Sequence, residues 1–122
     1  MTLPHRFPFR LVDRTADSVV LRLTANAHWL RDRTTLDLPL LIEATAQAAA
    51  LLTMPEAAAP DDLLLAGVSD CELVRAVAVG ESLEFEVVIQ ARMGAAVRVG
   101  ATIRSAGDEI ARLSLTLTGS AR

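Results

Sequence analysis

Apolar residues recur along this chain at two periods, and the change from one to the other divides it into elements. From Ser18 to Ala25, Val19, Leu21 and Leu23 alternate against Val20, Arg22 and Thr24, the period of two expected of a half-buried strand. Between Asp37 and Met54 the pattern changes: nearly every residue is apolar or small, and only Glu43, Thr45, Gln47 and Thr53 interrupt. Asp37 suits an N-cap, Pro39 is tolerated in a first turn, and the Ala/Leu run favours a helix of about four to five turns. With almost no polar face, that helix must be covered on most sides. Alternation returns from Ser82 to Arg92, with Leu83, Phe85, Val87, Ile89 and Ala91 on one face and Glu84, Glu86, Gln90 and Arg92 on the other. It continues through Val97–Arg104 and through Ile110–Thr118, where Ala111, Leu113, Leu115 and Leu117 point inward. Turns at Met93-Gly94 and Ala106-Gly107-Asp108 join these three strands into an antiparallel meander.

The remaining segments read less regularly. Met1–Arg14 is an irregular lead-in that runs into a strand near Leu11, and 26–36 is a polar loop carrying Trp29. Residues 55–62 form a connector, Leu64–Gly67 a short strand candidate and Cys71–Val79 an irregular one. One early hydrophobic helix followed by antiparallel strands with one apolar face is a layered α+β arrangement. The sheet must curl about the helix, and its leftover edge needs either a partner or a blunted end. A dimer with a continuous sheet satisfies both requirements; a monomer with a blunted edge is the alternative.

Composition narrows the picture. At 122 residues the chain is expected to be one domain, 1–122, with an aliphatic core, since it has three Phe, one Trp and no Tyr. A net charge of −3 offers no basic footprint, so no nucleic-acid partner is expected. The lone Cys71 excludes an internal disulfide and fits a small, half-buried strand residue in a reducing compartment. Glu43 and Gln47 sit in the middle of the longest apolar stretch, which argues against a membrane span. Pro4, Arg6, Pro8, Arg10 and Asp13 break up any signal-peptide core, so a cytoplasmic protein is expected.

The acid/base inventory is short. Glu43 and Gln47, four residues apart, share one stripe of the helix, and a carboxylate placed there must be paired, shifted or functional. His28, in the loop before the helix, is far enough upstream to fold back over it. Such an imidazole and carboxylate can serve as general base and general acid. Spacing alone equally allows a carboxylate held by Gln47, a backbone amide or an arginine, beside a surface histidine. Two histidines, one cysteine and no acidic cluster make a protein-only zinc site improbable. The sequence has no Gly-rich phosphate loop and no serine in a nucleophile-elbow context. No metal or cofactor is expected.

Three stretches carry a resemblance. LPHRFPFRLVDR, residues 3 to 14, is similar to the N-terminal signature of bacterial 3-hydroxyacyl-acyl-carrier-protein dehydratases of the FabZ type. LLIEATAQAAALL, residues 40 to 52, resembles that family's central helix, in which a catalytic carboxylate precedes a glutamine. AGVSDCELVRAVAVGESLEFEVVIQ, residues 66 to 90, resembles the approach to its long strands, with Gly80-Glu81 where the family usually has Gly-Asp. The resemblance implies a hot-dog fold, an antiparallel sheet wrapped around one long central helix. It also implies a dimer with active sites at the subunit interface and an acyl thioester carried on the phosphopantetheine arm of an acyl carrier protein, or on CoA. A higher oligomer, or a heterodimer with a homologue, is left open.

Residue by residue, the resemblance puts Glu43 on the catalytic acid, Gln47 on the following glutamine and His28 on the catalytic base, with Trp29 in the aromatic place beside the substrate. His5 matches only the N-terminal signature and reads as structural. The chain departs from the family at the loop, which reads Ala27-His28-Trp29-Leu30 where the family has Gly-His-Phe-Pro, and the Pro-Gly at the helix start is absent. The reading is a divergent dehydratase serving fatty-acid, polyketide or polyene-type biosynthesis. Its rivals are a hot-dog thioesterase, in which Glu43 activates water, and a non-catalytic acyl-binding subunit paired with an active homologue.

Overall fold

The computed structural model describes residues 9–25, 35–36, 38–53 and 63–119. In chain order they form strands β1 (Arg10–Arg14), β2 (Ser18–Thr24) and β3 (Thr35–Leu36), helix α1 (Leu38–Thr53), and strands β4 (Leu63–Leu73), β5 (Val77–Ala78), β6 (Ser82–Met93), β7 (Ala96–Ser105) and β8 (Asp108–Gly119). Six strands make one antiparallel sheet in the order β1-β2-β6-β7-β8-β4, while β3 and β5 form a separate two-stranded ribbon. β6, β7 and β8 are the expected meander.

Alternation along each strand decides which face is covered. Val19, Leu21 and Leu23 of β2, Leu83, Phe85 and Val87 of β6, Val99, Ala101 and Ile103 of β7, and Ala111, Leu113, Leu115 and Leu117 of β8 are all buried on the helix side. The opposite face carries cross-strand charge pairs, Arg22 with Glu84 at 3.5 Å and Arg104 with Glu86 at 3.0 Å. Glu84 and Glu86 thus lie on the wet side of the strand, as their alternation predicts, each ion-paired with an arginine of a neighbouring strand.

Along α1, Ala44, Ala46, Ala48, Ala49 and Ala50 are fully covered, while Pro39 in the first turn and Leu51 in the last remain exposed. With methyl groups as its surface, the helix backbone can lie close to the sheet. The buried Thr45 hydroxyl is satisfied locally, donating to the Leu41 carbonyl at 2.7 Å. At the helix C-terminus Arg14 Nη2 donates to the Leu52 carbonyl at 3.4 Å, a side chain of β1 occupying one of the orphan carbonyls.

Two sequence expectations are corrected. The separate candidates at Leu64–Gly67 and Cys71–Val79 are one long strand, β4, followed by the distinct two-residue β5. β4 loses its alternation because its register against β8 slips twice, between Leu65 and Gly67 and between Ser69 and Glu72, with Asp70 at φ 49°. Cys71 falls in the second irregularity and is exposed rather than half-buried, because β4 is a margin of the sheet.

The β7–β8 hairpin turns on Ala106 and Gly107, at φ 52° and 85°, between the paired Ser105 and Asp108. Two positive φ angles in a two-residue loop are those of a type I′ turn, which favours Asn-Gly and penalises a Cβ at the first position. Ala106→Asn is therefore expected to stabilise the protein by about 0.5–1 kcal/mol, read as a higher urea midpoint at unchanged slope.

Glu81, just before β6, gathers a polar cluster. Arg75 donates from Nη1 to Oε2 at 2.9 Å and from Nη2 to Oε1 at 2.7 Å. The Ala78 N–H donates to Oε2 and the Ser105 hydroxyl to Oε1, each at 2.7 Å. The Arg75 guanidinium first, then the Ala78 amide and the Ser105 hydroxyl, hold the Glu81 carboxyl at a pKa of about 2 instead of the ordinary 4.5. A depressed folded-state pKa contributes stability above the unfolded value and loses it as pH falls through the folded one. The stability difference between wild type and Glu81→Gln should therefore be flat above roughly pH 5 and shrink as pH falls from about 4.5 toward 2, measured by urea unfolding at each pH.

Candidate active site

The site is built on the second and third turns of α1. Glu43 is half-buried, and among the described residues it makes no ion pair or hydrogen bond. Among the described residues Arg22 pairs with Glu84, Arg104 with Glu86 and Arg75 with Glu81, and Arg14 donates to the Leu52 carbonyl, none of them to Glu43. One turn on, Gln47 is only 6% exposed, and among the described residues no group bonds its amide. An amide buried without a partner costs roughly 1–3 kcal/mol. Both side chains sit on one stripe of a helix otherwise lined with alanine, which places a carboxyl and a carboxamide side by side in apolar surroundings.

Of the residues expected on sequence grounds, the structure thus describes Glu43 and Gln47 together on α1. His28 and Trp29 lie outside the described residues, as does His5. The described residues nearest to His28 in sequence are Ala25, buried at the end of β2, and Thr35–Leu36 of β3. Two grooves, of about 400 and 240 Å³, open on the charged outer face of the sheet. One is lined by Arg22, Glu84 and Arg104, the other by Glu86, Gln90 and Arg112, so neither reaches Glu43. Among the described residues no group of His, Cys, Asp and Glu is placed to hold a metal ion, and no helix is long and apolar enough to cross a membrane. Residue patterning did not single out Arg75 or Ser105. The one signal available was the Gly80-Glu81 pair at the entry to β6.

Two comparisons find relatives and a third finds none. No protein-family model matches the chain. The chain is 35% identical over 115 residues to the 3-hydroxyacyl-[acyl-carrier-protein] dehydratase FabZ of Shewanella sediminis, a match covering 81% of this chain and 75% of that protein. It is 34% identical over 113 residues to the FabZ of Shewanella woodyi, covering 80% and 74%. Among solved structures it resembles the dehydratase heterocomplex ApeI:P of Xenorhabdus doucetiae, with TM-score 0.77 and 14% identity over 93% of this chain and 82% of that one. It is also similar to a hypothetical thioesterase with coenzyme A from Streptococcus pneumoniae, with TM-score 0.73 and 12% identity over 93% and 87%. The structural matches carry the fold, an antiparallel sheet around one helix, which is the hot-dog arrangement. Identity of this level across most of both chains carries more than fold: this chain belongs to the FabZ family of 3-hydroxyacyl-[acyl-carrier-protein] dehydratases.

Proposed function

We propose that this protein removes water from a 3-hydroxyacyl thioester carried on the phosphopantetheine arm of an acyl carrier protein, giving the trans-2-enoyl thioester. The observation that carries the reading is Glu43, a half-buried carboxyl without an ion-pair partner among the described residues, one turn from the unpartnered amide of Gln47. His28 takes the α-proton as general base. The electrons of that C–H bond become the new C=C bond, the C–O bond breaks, and Glu43 gives its proton to the departing hydroxyl, which leaves as water. Return of the proton from the imidazolium to the carboxylate resets the site. Gln47 and Trp29 line the place where the substrate lies, the amide offering a donor and an acceptor to the thioester portion.

The protein acts as a homodimer in the cytoplasm, with His28 of one protomer facing Glu43 of the other. Support for pairing comes from β4, an eleven-residue marginal strand that among the described residues bonds on one side only, to β8. The Ala-His-Trp-Leu sequence around His28 favours a specialised acyl pathway, of polyketide or polyene type, over housekeeping fatty-acid synthesis.

The test is incubation with 3-hydroxyacyl and with plain acyl thioesters, following enoyl absorbance and free thiol together. Enoyl absorbance without thiol is expected. Thiol release would make the protein a thioesterase with Glu43 activating water, and neither signal would make it a binding subunit.

A further inference from the structure

We infer that Glu81 is a positioning residue for the active site: its carboxylate organises one turn, 77–81, to which both the start of the His28-bearing span and the approach to helix α1 are fastened. The inference rests on the function proposed above, and it begins from hydrogen bonds that would be redundant if Glu81 only closed a surface ion pair.

Four donors reach its two oxygens, the Arg75 guanidinium twice, the Ala78 N–H and the Ser105 hydroxyl. The Glu81 backbone is occupied as well. Its carbonyl accepts from the Ala25 N–H at 2.9 Å, its own N–H donates to the Ala78 carbonyl at 3.3 Å, and the neighbouring Gly80 N–H donates to the Ala25 carbonyl at 2.6 Å. Both backbone groups of Ala25 are therefore bonded to Gly80-Glu81. On the other side of the same turn, Ala78 pairs with Thr35 and Val77 with Leu36.

The consequence is topological. Ala25 is the last described residue before the span holding His28, and Thr35–Leu36 lead into α1, which starts at Leu38 and carries Glu43 in its second turn. Both attachments meet on five residues, and Ala78, the residue paired with Thr35, has its N–H held by the Glu81 carboxylate. Ser105 ties the same carboxylate to β7, in the body of the sheet. An acid and a base that must meet one substrate tolerate little drift, since a displacement of about 1 Å can lower a rate ~100-fold. A carboxylate that fixes the approach to one and the take-off of the other has that leverage without touching the substrate.

The experiment compares wild type, E81A and E81D by steady-state kinetics on a 3-hydroxyacyl thioester and by amide hydrogen exchange. E81A should lose roughly 10- to 100-fold in kcat with KM within about twofold, and E81D should recover most of the loss. Exchange at Ala25, Leu36 and Ala78 should rise in E81A, while β6–β8 stay protected. A folded E81A with wild-type kcat, or a rate loss matched by its unfolded fraction alone, would overturn the inference. So would unchanged exchange at those three amides. If E81A does not fold, R75A, which removes two of the four donors from the molecular surface, is judged on the same readouts. A wild type that does not dehydrate marks failure of the proposed function instead, and the exchange arm still decides whether Glu81 holds the turn.

Discussion

Glu43→Gln should lower turnover of a 3-hydroxyacyl thioester by roughly 10²- to 10⁴-fold while barely changing stability. The substitution keeps the size and shape of the side chain and, in the proposed reaction, removes only the proton given to the departing hydroxyl. Among the described residues no ion pair is broken by it, so no partner is left stranded, and a stability change under about 1 kcal/mol is expected. The loss should fall on kcat more than on KM, because proton donation to the hydroxyl strengthens only as the C–O bond breaks. Enoyl absorbance followed over a range of substrate concentrations, beside a urea melt of the same preparation, checks both halves. A variant that keeps its full rate removes Glu43 from the chemistry.

Phe85→Ala should be the most costly single truncation in the core, about 3–5 kcal/mol. Phe85 is fully buried in the first half of β6, paired with Leu21 on one side and Ile103 on the other. Its ring meets Phe9 edge-on, with centroids 5.4 Å apart and planes at 87°. In a chain with only three Phe, one Trp and no Tyr, few neighbouring side chains have the bulk to fill the space it leaves. Against a total stability typically of about 5–15 kcal/mol, the loss takes the protein close to its threshold. Phe85→Leu, which retains most of the volume, is expected to cost under about 1.5 kcal/mol, and equilibrium denaturation of the pair measures the difference. Equal costs for the two would mean the surrounding side chains collapse into the gap.

What the sequence displayed, and what it hid, follows from the range of the interactions involved. β2, β6, β7, β8 and α1 were legible because each buries a continuous face against the same core, and burial imposes a period on the residues. Glu43 and Gln47 were legible for the opposite reason: polar residues inside an apolar helix contradict the packing and so stand out. β4 was broken into pieces because two register slips and the left-handed Asp70 erase its alternation. The β3–β5 ribbon, with two residues a side, is too short for any period to register. Glu81 reads as one more acid at the start of a strand, since Arg75 reaches it across an irregular turn and Ser105 from 24 residues further on, and only the folded backbone assembles them. Local pattern finds elements and anomalies. It does not find clamps.

The alanine surface of α1 bears on which substrates the protein can accept. Ala44, Ala46, Ala48, Ala49 and Ala50 are wholly shielded from solvent, so a hydrocarbon tail entering from outside does not reach the seam along these side chains unless helix and sheet move apart. The tail of an acyl group must therefore run outside this seam, and the length it may reach is measured by whichever residues border that outer route. Enlarging or shrinking the alanines would disturb the scaffold without retuning chain-length preference.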